Sequence, residues 1–176
     1  MSHSGIGAPR LTDTGGRALR DADYMSASRR RRTIAFVAWL ALCWGHSLMS
    51  GDMSSFESSR FVFLVRPFFE LVGITSEKTM TFFVRKGAHF TEYAILAALL
   101  RSLAHAWLGR GRRAVAAMLL GVTLIPLADE FIQTFVPGRS GQFRDVLIDI
   151  SGAVTGLIVA TVVSRLRDRR GARSGE

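Results

Sequence analysis

Cysteine is nearly absent from this sequence of 176 residues: Cys43 is the only one, so no disulfide can form within the chain. Because Cys43 lies inside an apolar run, we interpret it as a small packing residue. The sequence also lacks a glycine-rich phosphate loop, a nucleophile elbow and the Ser-His-Asp order of a hydrolase triad. These absences exclude the familiar sequence signatures of nucleotide-binding proteins and serine hydrolases.

Acidic residues are also scarce relative to basic ones. The chain has 23 Lys and Arg against 14 Asp and Glu, a formal charge of +9, although 48% of its residues are hydrophobic. High hydrophobicity combined with arginine clusters between apolar runs is typical of a multi-pass membrane protein. The arginines adjoin these apolar runs and form no aromatic-interleaved soluble patch, so we expect a lipid bilayer as the partner and no nucleic acid.

Four apolar segments are long enough to cross a bilayer as helices, and they predict an all-α membrane bundle of four transmembrane helices. They are residues 33–50, 81–108, 114–136 and 145–163, the third of which carries Asp129, Glu130 and Gln133 near its end. Residues 1–28 are polar and predict a disordered cytoplasmic tail, which also makes the first apolar segment a retained helix and not a signal peptide. Residues 29–166 form the predicted transmembrane domain, and 167–176 a basic cytoplasmic tail.

The segment 56–72, after the first span, mixes phenylalanines at helical spacing with charged residues and Pro67. This pattern predicts an amphipathic helix that lies at the outer interface and is broken or kinked at Pro67. A re-entrant segment buried against the bundle is the alternative.

Basic residues are distributed unequally around the predicted spans. The two tails, the loop between the second and third spans, and Arg101 on the inner half of the second span hold 16 bases and 5 acids, which gives 16 − 5 = +11. The remaining segments hold 7 bases and 9 acids, which gives 7 − 9 = −2. Because short basic segments stay in the cytoplasm, this asymmetry predicts a cell-membrane protein with both termini in the cytoplasm.

Three carboxylates on three spans are predicted to lie at one depth. At about 1.5 Å per helical residue from the cytoplasmic end of each span, Glu92 lies at roughly 24 Å, and Asp129 and Asp149 at roughly 22 Å. This level is inside the outer part of a hydrocarbon core about 30 Å thick. Ionisable groups are costly there, and they indicate a functional site by default.

Local spacing places further polar residues around these carboxylates. Lys86, His89 and Tyr93 share one face of the second span, and Gly152 and Gly156 let another helix approach the fourth span closely. The candidate binding residues are Lys86, His89, Glu92, Tyr93, Asp129, Glu130, Gln133, Arg139, Asp145 and Asp149.

The spacing of these residues resembles the VanZ-like family of membrane proteins. The shared motifs are Arg85-Lys86, His89-Phe90, Glu92-Tyr93 and Leu96, then Asp129-Glu130 with Gln133, Pro137, Arg139, Asp145-Val146, and Gly152 with Gly156. The resemblance covers residues 33–163 and implies a multi-pass envelope protein, in a family whose founding member is linked to resistance to the glycopeptide teicoplanin. One departure is Asp149, where the family usually has Asn.

Three classes of function fit the predicted site. An outer pocket could recognise an envelope lipid, its head group or a peptidoglycan precursor, with Lys86, Arg139 and Arg144 holding a phosphate or carboxylate. Alternatively, a membrane enzyme could act on a lipid-linked substrate, with Glu92 or Asp129 as general acid or base and His89 as proton shuttle. A proton relay or transporter is the third class, although the sequence shows no repeat and no polar path through the inner half.

No cofactor is predicted, and the pairing of His89 with Glu92 is too short a pattern for a metal site. The predicted pocket contains more acids than cations, so we expect at least one carboxylic acid, Asp149 or Glu92, to be protonated. In a purely structural alternative, Asp129 and Glu130 pair with Arg139 and Lys86 to hold the bundle together.

Overall fold

A computed structural model of the chain describes residues 14–139 and 141–174. These residues form five α-helices and no strand, which confirms the all-α prediction. The helices are α1 (Thr14–Ser47), α2 (Gly51–Leu71), α3 (Glu77–Leu108), α4 (Arg112–Gln133) and α5 (Phe143–Arg173).

The short connections between helices carry the residues that terminate them. The Ser50 and Ser76 side chains accept hydrogen bonds from backbone N–H groups in the first turns of α2 and α3, at 3.4 Å in each case. Gly109 follows α3 with a positive φ of 72°, a conformation that glycine adopts without steric cost. These caps set the ends of α3, the helix that carries most of the predicted site.

The outer helices extend beyond the predicted transmembrane domain. Residues 14–28 belong to α1, so the predicted disorder is wrong for this part of the tail, while residues 1–13 lie outside the described residues. At the other terminus, α5 continues to Arg173 through the predicted basic tail. Once a helix is nucleated, each added residue gains a backbone hydrogen bond, so a polar stretch extends a span without an apolar face of its own.

The amphipathic segment is a helix, α2, that packs against α3. It continues through Pro67 to Leu71, so the break predicted at Pro67 does not occur. The Phe69 and Phe83 rings stack with centroids 6.2 Å apart and join the two helices. Phe63 and Leu71, in contrast, are exposed on the surface of the bundle.

Among the described residues, α4 and α5 are the helices that are long and apolar enough to cross a membrane by composition alone. Both α1 and α3 have the required length, but the apolar part of α1 begins only after the four arginines at 29–32, and ionisable side chains interrupt the apolar run of α3. In α3 these include Arg85, Lys86, Glu92 and Arg101. Composition therefore supports two spans, and the four-span arrangement remains a prediction.

Helix α3 lies at the centre of the bundle and contacts each of the other four helices. Its closest neighbour is α5, in which Gly152 lies against the backbone of Phe90 and Gly156 against the backbone of Ala94. The core next to this contact consists of Tyr93, Leu96 and Ala97 of α3, Val122 of α4 and Ala153 of α5. The small-residue face predicted for the fourth span thus packs against α3.

Polar contacts also join the helices at the opposite end of the bundle, where the basic segments lie. The Arg32 guanidinium donates to the Ser102 carbonyl at 3.1 Å, which links α1 to α3. The Arg101 guanidinium donates to the Ser164 hydroxyl at 2.8 Å, which links α3 to α5. The Arg32 and Arg101 side chains therefore fix helix positions at this end.

We expect Gly156→Ala to destabilise the bundle, because the added methyl group would overlap the Ala94 backbone, which cannot rotate away. Overpacking of this kind costs about 1–3 kcal/mol. Thermal unfolding of the detergent-solubilised protein measures the change. Gly87→Ala is the control, because a Cβ at Gly87 meets no atom within 4 Å. Equal melting temperatures for the two variants would contradict the close approach.

Candidate functional site

Four helices bring polar side chains together at one end of the bundle. The end of α1 meets the first half of α3 through His46, whose Nδ1 lies 2.7 Å from Glu92 Oε1. The same end of α1 meets α4 through the Ser47 hydroxyl, which donates to Asp129 Oδ2 at 2.8 Å. The start of α5 adds Asp145 and Asp149. All ten candidate binding residues lie at this end.

Asp129 is the most deeply buried acid of the site, with 0% of its surface exposed. Its Oδ2 atom accepts hydrogen bonds from the Ser47 hydroxyl and, at 3.3 Å, from Gln133 Nε2. Its Oδ1 atom and the hydroxyl of Tyr93 are both buried, and within the described part of the chain neither has a partner at full hydrogen-bonding distance, although the Tyr93 hydroxyl interacts with the Asp129 carboxylate. One oxygen of this carboxylate is therefore held by α1 and α4, and the Tyr93 hydroxyl brings α3 to the same carboxylate.

Glu130 connects the end of α4 to the start of α5. Its Oε1 atom accepts a hydrogen bond from the backbone N–H of Gln142, the residue before α5, at 2.6 Å. A carboxylate at this position also interacts favourably with the positive end of the helix dipole. The Oε2 atom of Glu130 is buried without a hydrogen-bond partner.

Arg139 holds the end of α1 against the loop that follows α4. Its guanidinium donates to the carbonyl oxygens of His46 and Met49 at 3.1 and 3.0 Å, and to Gln133 Oε1 at 3.1 Å. The last carbonyls of a helix have no partner within it, and a cation also suits the negative end of the dipole. Burial lowers the pKa of Arg139 from its ordinary value. An arginine nevertheless remains charged at neutral pH.

Two contacts join α3 to α5 at the site. Lys86 Nζ lies 2.5 Å from Asp145 Oδ2, which is a close ion pair. His89 Nδ1 lies 3.6 Å from Asp149 Oδ1, which is too long for a hydrogen bond. Among the described residues, the pairing of Lys86 and Arg139 with Asp129 and Glu130 that the structural alternative predicts is not found. Lys86 pairs with Asp145, and Arg139 donates to neutral oxygens.

Two cavities open onto these residues. The inner cavity, of about 230 Å³, has Glu92 and His89 in its wall together with His46, Arg85 and Arg139. The outer groove, of about 690 Å³, is lined on its charged side by Lys78, Arg85, Lys86, Arg139 and Arg144, against the acids Glu77 and Asp145. Arg85 and Arg139 border both cavities, so the two form adjoining parts of one site.

The candidate residues divide into two layers relative to these cavities. Lys86, His89, Glu92, Arg139 and Asp145 line a cavity wall. The other five are buried beneath them: Tyr93, Asp129, Glu130, Gln133 and Asp149. The outer layer is therefore the part that a bound molecule would touch, and the inner layer supports it.

Three residues of the site were missed by sequence reasoning: His46, Ser47 and Arg85. His46 and Ser47 lie at the end of α1. A single polar residue there belongs to no motif, so one sequence does not indicate which residue it contacts. Arg85 is part of the family motif but not of the candidate binding residues, and its Nε atom is buried and lacks a hydrogen-bond partner among the described residues. The Arg-Lys pair at the start of the α3 motif was the available signal for Arg85.

The comparison with protein families gives one match, to VanZ/LLP1, over residues 33–164. The chain belongs to the VanZ/LLP1 family. The matched region contains every candidate site residue, and this confirms the resemblance identified from the motifs. Neither a curated protein nor a solved structure matches the chain. The stretches of α1 before residue 33 and of α5 after residue 164 lie outside the VanZ/LLP1 region.

We expect Arg139→Ala to lower the free energy of unfolding by at least about 2 kcal/mol, because buried groups left without a charged donor lose about 1.5–3 kcal/mol each. Thermal unfolding in detergent measures the loss. Arg144→Ala is the control, since Arg144 is exposed and lies over the Phe82 ring at 5.9 Å without holding a helix end. If both variants unfold at the same temperature, Arg139 does not hold α1 in place.

Proposed function

We propose that this VanZ/LLP1 protein crosses the cell membrane four times and binds the phosphate-bearing head group of an envelope lipid in the outer groove. In this arrangement α1, α3, α4 and α5 are the spans, and α2 lies against α3 near the outer surface. Both termini and the turn between α3 and α4 are cytoplasmic. The VanZ-like transmembrane domain corresponds to residues 29–166, although its end helices extend further.

The positions of the ionisable residues support spans for α1 and α3. In α3, the side chains of Lys86 and Glu92 contact residues of α5 and α1, and so point into the bundle. Polar residues within transmembrane helices usually face the bundle interior in this way. Lys86 and Glu92 therefore lower the hydrophobicity of α3 without placing a charge in contact with lipid. The basic ends of α1 and α5 agree with cytoplasmic termini.

Topology reporters fused after Gly73, Gly111 and Ser174 test the four-span arrangement. We expect alkaline phosphatase to be active only after Gly73, because this enzyme folds outside the cytoplasm, and fluorescent protein fusions to be bright at the other two positions. These positions lie in turns or at a helix end, so a fusion there leaves the preceding helices intact. Reversed signals at any two positions would refute the arrangement.

The charge of the outer groove is the observation that carries the head-group proposal. Five cations and two acids line it, and one cation, Lys86, is already paired with Asp145. Among the described residues the buried Nε donor of Arg85 has no hydrogen-bond partner, which is costly unless a ligand accepts from it. A planar guanidinium matches phosphate oxygens with two parallel hydrogen bonds. A phosphate would therefore satisfy both the charge and the free donor.

Family membership supports an envelope lipid, or a lipid-linked peptidoglycan precursor, as the source of that phosphate. The founding VanZ-like protein is linked to teicoplanin resistance, and a role of this chain in glycopeptide resistance is part of the proposal. The exposed apolar face of α2, which includes Phe61, Phe63 and Leu64, borders a third cavity beside His46. Such a surface suits the acyl or polyprenyl chain of a lipid whose head group enters the site.

An enzyme is the second candidate, and the contact between His46 and Glu92 favours it. Their side chains lie 2.7 Å apart in the wall of the inner cavity, where a carboxylate and an imidazole could exchange a proton with a bound substrate. His89 lies in the same wall. The reaction class would be general acid and base catalysis on a lipid-linked substrate.

Native mass spectrometry of the purified protein with farnesyl phosphate or phosphatidylglycerol tests the head-group proposal. We expect Arg144→Gln to weaken binding by about tenfold, because a charged hydrogen bond contributes roughly 1.5 kcal/mol or more. Arg110→Gln is the matched control, since Arg110 lies at the opposite end of the bundle, 3.7 Å from Asp168. Binding only to farnesyl phosphate would indicate a polyprenyl carrier, and binding only to phosphatidylglycerol a bulk phospholipid.

Equal affinities of Arg110→Gln and Arg144→Gln for both lipids would refute binding in the outer groove. The same spectra distinguish the enzyme, because a lipid converted during incubation changes mass. In that case we expect Glu92→Gln to bind the lipid and leave its mass unchanged.

A further inference from the structure

Three potential metal ligands from three helices converge beneath the inner cavity. One ligand atom each from His89 of α3, Asp129 of α4 and Asp149 of α5 lies within 4.8 Å of the other two. The side chains of Asp129 and Asp149 are fully buried, and His89 is largely buried. The three residues are far apart in the sequence, so their spacing gives no sign of a shared site. Only His89 and Glu92 are close enough in the sequence to form a local pattern.

The two buried carboxylates lack a partner for one oxygen each. Asp149 Oδ2 is buried and accepts no hydrogen bond from the described part of the chain, and Asp129 Oδ1 has only the Tyr93 hydroxyl nearby, beyond full hydrogen-bonding distance. Two nearby cations are engaged elsewhere, Lys86 with Asp145, and Arg139 with Gln133 and backbone carbonyls. Buried carboxylates are normally paired or coordinate a metal, because an isolated buried charge is very costly. A divalent cation between them would supply the missing positive charge.

The surrounding contacts hold the ligands in orientations suited to a metal. Ser47 and Gln133 both donate to Oδ2 of Asp129, which fixes the orientation of the carboxylate. Hydrogen bonds of this kind to ligand side chains commonly orient a metal site. The contact of Gly152 with the Phe90 backbone lies next to both His89 and Asp149 and fixes their helices side by side.

We propose that His89, Asp129 and Asp149 bind one divalent transition-metal ion, with Zn²⁺ as the ion that this ligand set suits best. One imidazole and two carboxylates are ligands that Zn²⁺ accepts, and three protein ligands leave a coordination position open toward the inner cavity. His89 lines that cavity, which gives the ion a path from outside the bundle. Bonds of about 2.1 Å require the ligand atoms to close to roughly 3.4 Å, a small side-chain adjustment.

This proposal goes beyond head-group binding and does not depend on it, because the ligands lie beneath the outer groove and not in its wall. In this proposal a metal ion, and not a proton on Asp149, compensates the excess negative charge. A metal ion and a proton compete for the same oxygen of Asp149. The Asp149→Asn variant imitates the protonated acid, so it should be tolerated if Asp149 is protonated and should lose metal binding if Asp149 is a ligand.

The test is the zinc content of the full-length protein, purified with an affinity tag that contains no histidine. Protein stripped with EDTA is equilibrated with Zn²⁺ and freed of excess ion. Its zinc content is then measured by inductively coupled plasma mass spectrometry. We expect about one zinc per chain, and an affinity at least tenfold lower for Asp149→Asn and for His89→Gln. Asp145→Asn and His46→Gln are matched controls, since they alter an acid and a histidine of the same site that lie outside the proposed ligand set.

Substitution of Co²⁺ provides a second measurement, because its visible absorption reports nitrogen and oxygen ligands directly. Loss of that spectrum in His89→Gln but not in His46→Gln is the expected result. A zinc content below about one tenth per chain, or equal zinc in ligand and control variants, would overturn the proposal.

If the ligand variants fail to fold, the parent protein still tests the site. Zn²⁺ must raise its melting temperature above the value in EDTA, and an unchanged melting temperature refutes the site. Lipid binding by the stripped protein, measured in parallel, separates this outcome from failure of the head-group proposal.

Discussion

The close approach of α5 to α3 is the constraint on which the rest of the structure depends. Gly152 and Gly156 bring the two backbones into direct contact, and no larger side chain fits between them. Asp149 precedes Gly152 by one helical turn, and His89 adjoins Phe90, so the same contact sets the distance between these ionisable groups. Helix packing of this kind needs no apolar driving force, which lipid would not supply. The geometry of the site thus follows from two residues without side chains.

The cations on the two sides of this contact make different interactions. On one side, Lys86 and Asp145 neutralise each other near the surface. On the other, Arg139 carries a full charge but gives its donors to carbonyl and amide oxygens. The carboxylates between them are left with neutral donors or none. Charge in this protein is therefore arranged to leave a buried negative region, which is stable only with a proton, a metal ion or a nearby cation.

Much of the helical pattern and the common depth of the acids could be predicted from the sequence. Helical rise alone places Glu92, Asp129 and Asp149 at one level, and the structure puts all three at the same end of the bundle. Partners could not be predicted, because one sequence does not show which residue of α1 faces which residue of α4. Ser47 and His46 were missed for this reason. The extent of α1 was also wrong, since helix propagation is cooperative and leaves little trace in composition.

The contact between Arg139 and the end of α1 has a consequence for the order in which the protein assembles. The guanidinium that closes the last turn of α1 follows His46 by 93 positions in the chain. During synthesis, α1, α2, α3 and α4 all leave the ribosome before that arginine does. The end of α1 must therefore wait, with its final carbonyls bound to water or lipid head groups, until the loop after α4 arrives. Completion of the site is thus a late event of biogenesis, and a chain arrested before this loop would contain most of its helices but no finished site.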